Sequence, residues 1–201
     1  MVAGAMADVR SFVAVPLPND LQARVAAAAA EMASVLAGVK WSRRTGNLHV
    51  TLKFLGPVAE EKLAALGTAL GAALSGRPRF RIELRGLGAF RSARHANVLW
   101  AGIDDPQRGL AEVAAAVETV AAGFGFAAEH RPFTGHVTIG RSKGRGVDAR
   151  AALAAFAAHG FGSTVVEEVH VYESRLGGGP NNEGSTYVLR SRAKLGPAIF
   201  N

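Results

Sequence analysis

The chain has 201 residues, of which 49% are hydrophobic and 19% charged, with a formal net charge of +7 and no cysteine. This composition is typical of an ordinary globular protein, and the missing thiols exclude a disulfide framework, a thiolate zinc site and a cysteine nucleophile. The basic balance favours an anionic partner such as nucleic acid or a nucleotide, although a charge that serves only solubility is the alternative.

Targeting signals are not evident at the start of the sequence. The first ten residues, MVAGAMADVR, have no basic segment followed by a long apolar stretch. No apolar run approaches the roughly 18 residues that a membrane span needs. We therefore expect a cytoplasmic protein, monomeric and without a membrane partner.

The first part of the chain alternates strands with amphipathic helices. Residues 10–18 (RSFVAVPLP) predict a short buried strand, and a helix follows between Pro18 and Gly38. An extended segment over 41–55 precedes a second helix over 59–74. The apolar positions at helical spacing are Leu21, Val25, Met32 and Leu36 in the first helix and Leu63, Leu66, Leu70 and Leu74 in the second.

The rest of the chain continues with strands in pairs. The predicted elements are strands over 79–85 and 97–103, a helix over 106–124, a strand over 136–141, an alanine-rich helix over 148–159, and strands over 165–172 and 185–190 joined by a loop over 176–184. Strict βαβ alternation is missing, which favours an α+β fold with largely antiparallel sheets. No glycine-rich phosphate loop stands between a strand and a helix.

One four-residue phrase occurs twice. His49-Val50-Thr51-Leu52 is followed, 87 residues further along, by His136-Val137-Thr138-Ile139. Both copies lie in predicted strands with a helix before and after them. The repeat suggests an internal duplication, and therefore a bilobal fold with two pseudo-symmetric lobes in a single domain over 1–201.

The repeated phrase also carries a possible chemistry. Residues i and i+2 of a strand share a face, so each copy projects one His and one Thr together. A pseudo-two-fold would bring both pairs to one central cleft. Two imidazoles can there act as general acid and general base, and threonine hydroxyls can bind phosphate oxygens. For one such pair alone, a structural or solvent-facing role is the usual alternative.

These motifs resemble the signature of the two-histidine phosphoesterases. The phrases NLHVTLKFLG, RSFVAVPLP, NVLWAG, RPFTGHVTIGR and GSTYVL are similar to the bacterial and archaeal RNA 2′,3′-cyclic phosphodiesterases, historically called 2′-5′ RNA ligases. The resemblance covers residues 10–190. One departure is Gly135, because the family often has proline immediately before the second histidine.

The resemblance implies a role for each motif residue. His49 would protonate the leaving 3′ oxygen and His136 would activate the attacking water, while Thr51, Thr138 and Arg141 would hold the phosphate. The reaction would open a 2′,3′-cyclic phosphate, on an RNA end or a small cyclic nucleotide, to a 2′-phosphate. It would need neither a metal nor a cofactor.

Residues around the motifs are harder to assign. Phe12, Phe54 and Tyr187 are candidates for stacking a terminal base, but we expect Phe54, like Phe133, to pack in the core. A mobile basic loop is predicted over 141–145 and could guide an RNA backbone. The remaining histidines are expected at the surface or in loops: His95, His130, His159 and His170.

Two other functions stay open on the sequence alone. The same site could run in reverse and join a cyclic end to a 5′-hydroxyl as a 2′-5′ linkage. A retained fold could also bind nucleotides or RNA without turnover, although both histidines and both threonines are present.

Overall fold

Two halves of similar connectivity share one antiparallel sheet. The computed structural model describes residues 8–42, 46–176 and 185–197. Within those ranges the strands are β1 (Val9–Pro16), β2 (Val39–Trp41), β3 (His49–Val58), β4 (Phe80–Ser92), β5 (His95–Asp104), β6 (His136–Ser142), β7 (Gly160–Val166), β8 (Glu168–Leu176) and β9 (Ser185–Lys194). The helices are α1 (Asn19–Val35), α2 (Glu60–Leu74), α3 (Gly109–Gly123) and α4 (Arg150–Ala155).

The strand order shows the duplication. The order across the sheet is β7-β4-β5-β6-β3-β1-β8-β9, and β2 pairs with β6 beyond the point where β3 leaves it. One half therefore holds β3, β1, β8 and β9, and the other holds β6, β5, β4 and β7 in the matching order. The bilobal α+β fold with antiparallel pairing is confirmed.

Two helices each pack against the half of the sheet that does not contain the strand before them, which holds the two halves together. Helix α1 follows β1 but packs against β7, β2 and β6, while α3 follows β5 but packs against α2 and β3. Helix α2 lies on β9 and buries Leu63, Leu66, Leu70 and Leu74. Each such leucine contributes about 1.5–3 kcal/mol relative to an exposed side chain. The helices thus cover one face of the sheet and leave the other available for the cleft.

The sequence prediction was wrong near 148–172. The alanine-rich segment forms only the short α4, in which Ala152 is the buried residue, and the chain then enters β7 beside β4. Alanine favours helix locally, but this segment has few large apolar side chains to hold a longer helix against the core. The predicted strand over 165–172 is divided between β7 and β8.

The hairpin between β4 and β5 is longer than predicted. Strand β4 runs on to Ser92, which pairs with His95. The predicted loop over 176–184 lies outside the described residues from 177 onward. None of the helices in the described ranges is long and apolar enough to cross a membrane.

Candidate active site

The two repeated strands meet at the floor of one cleft. Val50 pairs with Val137 in antiparallel register, and both are fully buried. The residues on either side of each valine therefore point to the opposite face. That face lines a cavity of about 1110 Å³. The side chains predicted to act on or hold the phosphate all line it: His49, Thr51, His136, Thr138 and Arg141. The three candidates for stacking a base line it too: Phe12, Phe54 and Tyr187.

Both imidazoles are held by the same local hydrogen bond. The Nδ1 atom of His49 lies 2.7 Å from the carbonyl oxygen of Asn47, and Nδ1 of His136 lies 2.7 Å from that of Thr134. A carbonyl oxygen can only accept, so each Nδ1 must carry a hydrogen and donate it. In the neutral ring, Nε2 is then the unprotonated atom. Each histidine thus keeps Nε2 for proton transfer.

Aromatic rings enclose both imidazoles. Around His49, the ring of Phe12 lies 4.9 Å away between centroids, and Tyr187 packs edge-on at 5.2 Å. Around His136, Phe90 packs edge-on at 4.7 Å and Trp100 lies 6.3 Å away. These contacts restrict ring rotation and exclude water from the sides of each imidazole.

The enclosure favours neutral histidines. Burial lowers the pKa of His49 to about 4, the Asn47 hydrogen bond opposes that change, and the nearby charge of His136 lowers the pKa further. Burial also lowers the pKa of His136, and the guanidinium of Arg141 adds to that effect. In the unliganded cleft at neutral pH, both rings are therefore uncharged and ready to accept a proton at Nε2.

A β-bulge brings Arg141 onto the face of His136. Thr138 pairs with Trp100, but Gly140 pairs with Leu99, so Ile139 is an extra residue in β6. An inserted residue reverses the alternation of the strand after it. Strict alternation would put Gly140, rather than Arg141, on the cleft face. The bulge is the physical reason why Arg141 lines the cavity.

The first motif carries a bulge at the equivalent position. Ala14 pairs with Thr51 and Val13 with Lys53, which leaves Leu52 as the extra residue in β3. Phe54 consequently faces the cleft and is 58% exposed. Our expectation that Phe54 packs in the core was wrong, because it assumed uninterrupted alternation. The same expectation for Phe133 was also wrong, since Phe133 is 37% exposed. Phe54 and Arg141 thus occupy matching places in the two halves.

The same bulge turns Lys53 inward. Its Nζ lies 2.9 and 2.8 Å from the two carboxylate oxygens of Glu118 on α3 and donates to the carbonyl of Ala127 at 2.8 Å. The Lys53 side chain is 1% exposed. Glu118 also accepts a hydrogen bond from the backbone of Glu129. This buried ion pair ties the first motif to the segment that leads to the second, and no local pattern in the sequence indicates it.

Gly135 has a packing role in this chain. A Cβ at this position would lie 2.7 Å from Cδ2 of Leu110, a buried side chain in the first turn of α3. Glycine therefore lets the backbone before His136 approach that helix closely. A residue with a Cβ at position 135 would require the Leu110 side chain to move.

The cleft is strongly basic. Among the described residues, no carboxylate lines the cleft. Four cationic side chains line it: Arg10, Lys40, Arg141 and Lys143. None of the four forms an ion pair within the described part of the chain. An uncompensated cationic cleft attracts an anionic ligand.

The other histidines do not line the cleft. His170 was expected at the surface or in a loop, but it is buried in β8, between Glu168 at 2.6 Å and the Tyr172 hydroxyl at 2.8 Å. The prediction failed because β8 lies inside the sheet. Within the described ranges, no cluster of three or more His, Cys, Asp or Glu residues is arranged to hold a metal ion.

A duplicated strand that presents one His and one Thr from each half to a basic cleft defines the class of two-histidine phosphoesterases. The family model described as LigT like Phosphoesterase matches residues 15–100 and 102–181. The chain belongs to this LigT-like phosphoesterase family.

Similar proteins are found among both sequences and structures. The chain is 35% identical over 136 residues to an RNA 2′,3′-cyclic phosphodiesterase of Methanothermobacter thermautotrophicus, covering 68% of this chain and 72% of the relative. It is 31% identical over 167 residues to one of Archaeoglobus fulgidus, covering 83% and 92%. The crystal structure of E. coli LigT complexed with 3′-AMP superimposes with a TM-score of 0.72 at 27% identity, covering 94% of this chain and 98% of that one.

Proposed function

We propose that this protein hydrolyses a 2′,3′-cyclic phosphate, at an RNA end or on a nucleotide, to a 2′-phosphate. The observation that carries this proposal is the pair of imidazoles, each with Nδ1 bonded to a carbonyl and Nε2 left for proton transfer in one basic cleft. The names of the relatives support the same reaction.

The reaction balances with two histidines. Water attacks phosphorus as Nε2 of His136 accepts its proton, and the bond from phosphorus to O3′ breaks as Nε2 of His49 donates a proton to that oxygen. The product is a 2′-phosphate with a free 3′-hydroxyl. After the reaction His49 is neutral and His136 is protonated, which is the reverse of their starting states. Proton exchange with solvent then restores the site.

The electrostatics of the cleft fit these roles. Arg141 disfavours a charge on His136, which keeps the base neutral by lowering its pKa. His49 is neutral in the unliganded cleft and has to be protonated before it can act as the acid. The negative charge of the bound cyclic phosphate supplies the stabilisation that a protonated His49 needs. The hydroxyls of Thr51 and Thr138, with Arg141, would hold the non-bridging oxygens.

The decisive experiment is incubation with nucleoside 2′,3′-cyclic phosphates in EDTA, with 2′- and 3′-monophosphates resolved. We expect 2′-monophosphate from the wild type, and loss of turnover in His49→Ala and in His136→Ala while both variants keep the native circular dichroism spectrum. His95→Ala, an exposed histidine outside the cleft, is the matched control. Substantial turnover in either motif variant would refute the two-histidine mechanism, and a 3′ product would refute the assigned leaving group.

A single copy of the chain supplies both halves of the site. We therefore infer a monomer, which light scattering of the purified protein would test. The absence of cysteine is compatible with our expectation of a reducing, cytoplasmic location.

A further inference from the structure

A row of cations extends the cleft beyond the catalytic pair. Lys40 of β2 pairs with Arg141 of β6, and Lys143 follows Arg141 by two residues. All three side chains line the cavity. Residues two apart in a strand are about 7 Å apart, a step similar to that between neighbouring phosphates of an extended single strand. Arg141 and Lys143 therefore have a spacing that suits neighbouring phosphates, and Lys40, directly opposite Arg141 in the adjacent strand, places another cation beside them.

This row is held by the fold. Strand β2 takes over pairing with β6 where β3 has left it, and the backbone N–H of Lys143 donates to the carbonyl of Gly38 at 2.9 Å. The predicted mobile loop over 141–145 is thus wrong for its first two residues, since β6 continues to Ser142. Fixed backbone positions reduce the conformational cost of holding a ligand phosphate.

A cyclic mononucleotide would leave much of this cleft unused. Its cyclic phosphate carries one negative charge, which Arg141 and the two motif threonines are sufficient to bind. Lys40 and Lys143 remain without a carboxylate partner in the described residues. The cavity of about 1110 Å³ also lies just above the range of about 300–1,000 Å³ that is usual for small-molecule sites.

We propose that Lys40 and Lys143 form a subsite for the internucleotide phosphates next to the cyclic end, so that the preferred substrate is an RNA chain of two or more nucleotides. This inference rests on the proposed function of the cleft. The cyclic end lies between His49 and His136, and the chain leaves toward its 5′ side along β2 and the end of β6.

The test compares cyclic-ended substrates that differ only in length. The kcat/KM is measured for a nucleoside 2′,3′-cyclic phosphate and for a trinucleotide with the same cyclic-ended nucleoside, at 50 and 200 mM salt. Two additional phosphate contacts predict that the trinucleotide-to-mononucleotide ratio falls about sevenfold between these salt concentrations. In Lys40→Gln/Lys143→Gln, we expect that ratio to be about tenfold lower at 50 mM salt and its dependence on salt to be lost.

Lys194→Gln is the matched control, because this exposed lysine of β9 does not line the cleft. It should keep the wild-type ratio, which separates a local subsite from general attraction by the net charge. Two results would overturn the subsite while leaving the cyclic phosphodiesterase proposal intact. One is a trinucleotide-to-mononucleotide ratio near one in the wild type, and the other is a ratio in the double variant equal to that of the wild type. Failure of the wild type to turn over either substrate would instead overturn the proposed function.

Discussion

Val50 and Val137 lie opposite each other where the two halves of the sheet meet. Each valine stands between the His and the Thr of its own motif. In this antiparallel register, the His of one motif is placed next to the Thr of the other on the cleft face. A single buried pair of valines thereby organises four polar side chains around one point.

The two threonines should contribute similarly to catalysis. Thr51→Val and Thr138→Val each remove one hydroxyl from the proposed phosphate site and keep the branched shape. A hydrogen bond to a charged group contributes about 1.5–3 kcal/mol, so kcat/KM should fall roughly 10- to 150-fold in each variant. Thr119→Val, on the exposed side of α3, is the control for loss of a hydroxyl. Wild-type kinetics in either cleft variant would remove that threonine from the site.

Arg141 should affect both binding and the pH profile. Arg141→Gln removes a planar cation from the proposed phosphate site, so KM for a cyclic nucleotide should rise. The same change removes the charge that lowers the pKa of His136. That pKa should therefore increase. The acidic limb of the kcat profile, which reports the substrate complex in which His49 is protonated, should move to higher pH, because a base must be neutral to accept a proton. An unchanged acidic limb would contradict the assignment of His136 as the base.

His49 should make the protein less stable in mild acid. Its pKa of about 4 in the folded state lies below its ordinary value of 6.5, so the unfolded chain binds more protons between those two pH values. The free energy of unfolding should therefore fall as the pH is lowered from 6.5 to 4, by at most about 3 kcal/mol from this group.

The contribution of His49 to the pH dependence of stability is measured by replacing it with glutamine, which does not titrate. Urea unfolding of the wild type and of His49→Gln at pH 7 and at pH 5 gives the difference in free energy at each pH. The variant should lose less stability than the wild type between the two pH values. Parallel losses in both proteins would show that His49 is not held neutral by the fold.

The bulge at Leu52 predicts an unusual response at Phe54. Phenylalanine to alanine substitutions in a core cost about 3–5 kcal/mol. Phe54 is 58% exposed in the cleft, so Phe54→Ala should cost less than about 1 kcal/mol. Phe161→Ala provides the buried comparison, since Phe161 is 1% exposed. Equal losses in urea unfolding would place Phe54 in the core and contradict the bulge.

The buried Lys53 should depend on its carboxylate. Glu118→Gln leaves the Lys53 ammonium buried without its counter-charge, and we expect a loss of about 2–3 kcal/mol. Lys53→Met leaves a carboxylate that is 30% exposed and can be hydrated, so it should cost less. Urea unfolding of both variants shows which substitution lowers the free energy of unfolding more. A larger loss in Lys53→Met would show that hydrogen bonding by the ammonium outweighs the penalty of an unpaired buried charge.

The sequence by itself determined the duplicated motif and the strands that carry it. Alternation within His49–Leu52 and within His136–Ile139 correctly assigned the His and Thr of each copy to one face, because side-chain direction in a regular strand follows from local geometry. Antiparallel pairing and most helices were likewise predictable from apolar spacing. Those features depend on neighbours within a few residues.

Only the tertiary structure decided the side-chain directions beyond each motif. The bulges at Leu52 and Ile139 arise from pairing with β1 and β5, which are distant in sequence, and one extra residue reverses every side chain after it. Phe54 and Arg141 therefore enter the cleft while Lys53 turns inward to Glu118. The meeting of β2 with β6, which creates the row of cations, is also a long-range pairing. Local periodicity contains no information about where a distant strand imposes an extra residue, and that is the physical reason why the sequence located the two His–Thr pairs but not their surroundings.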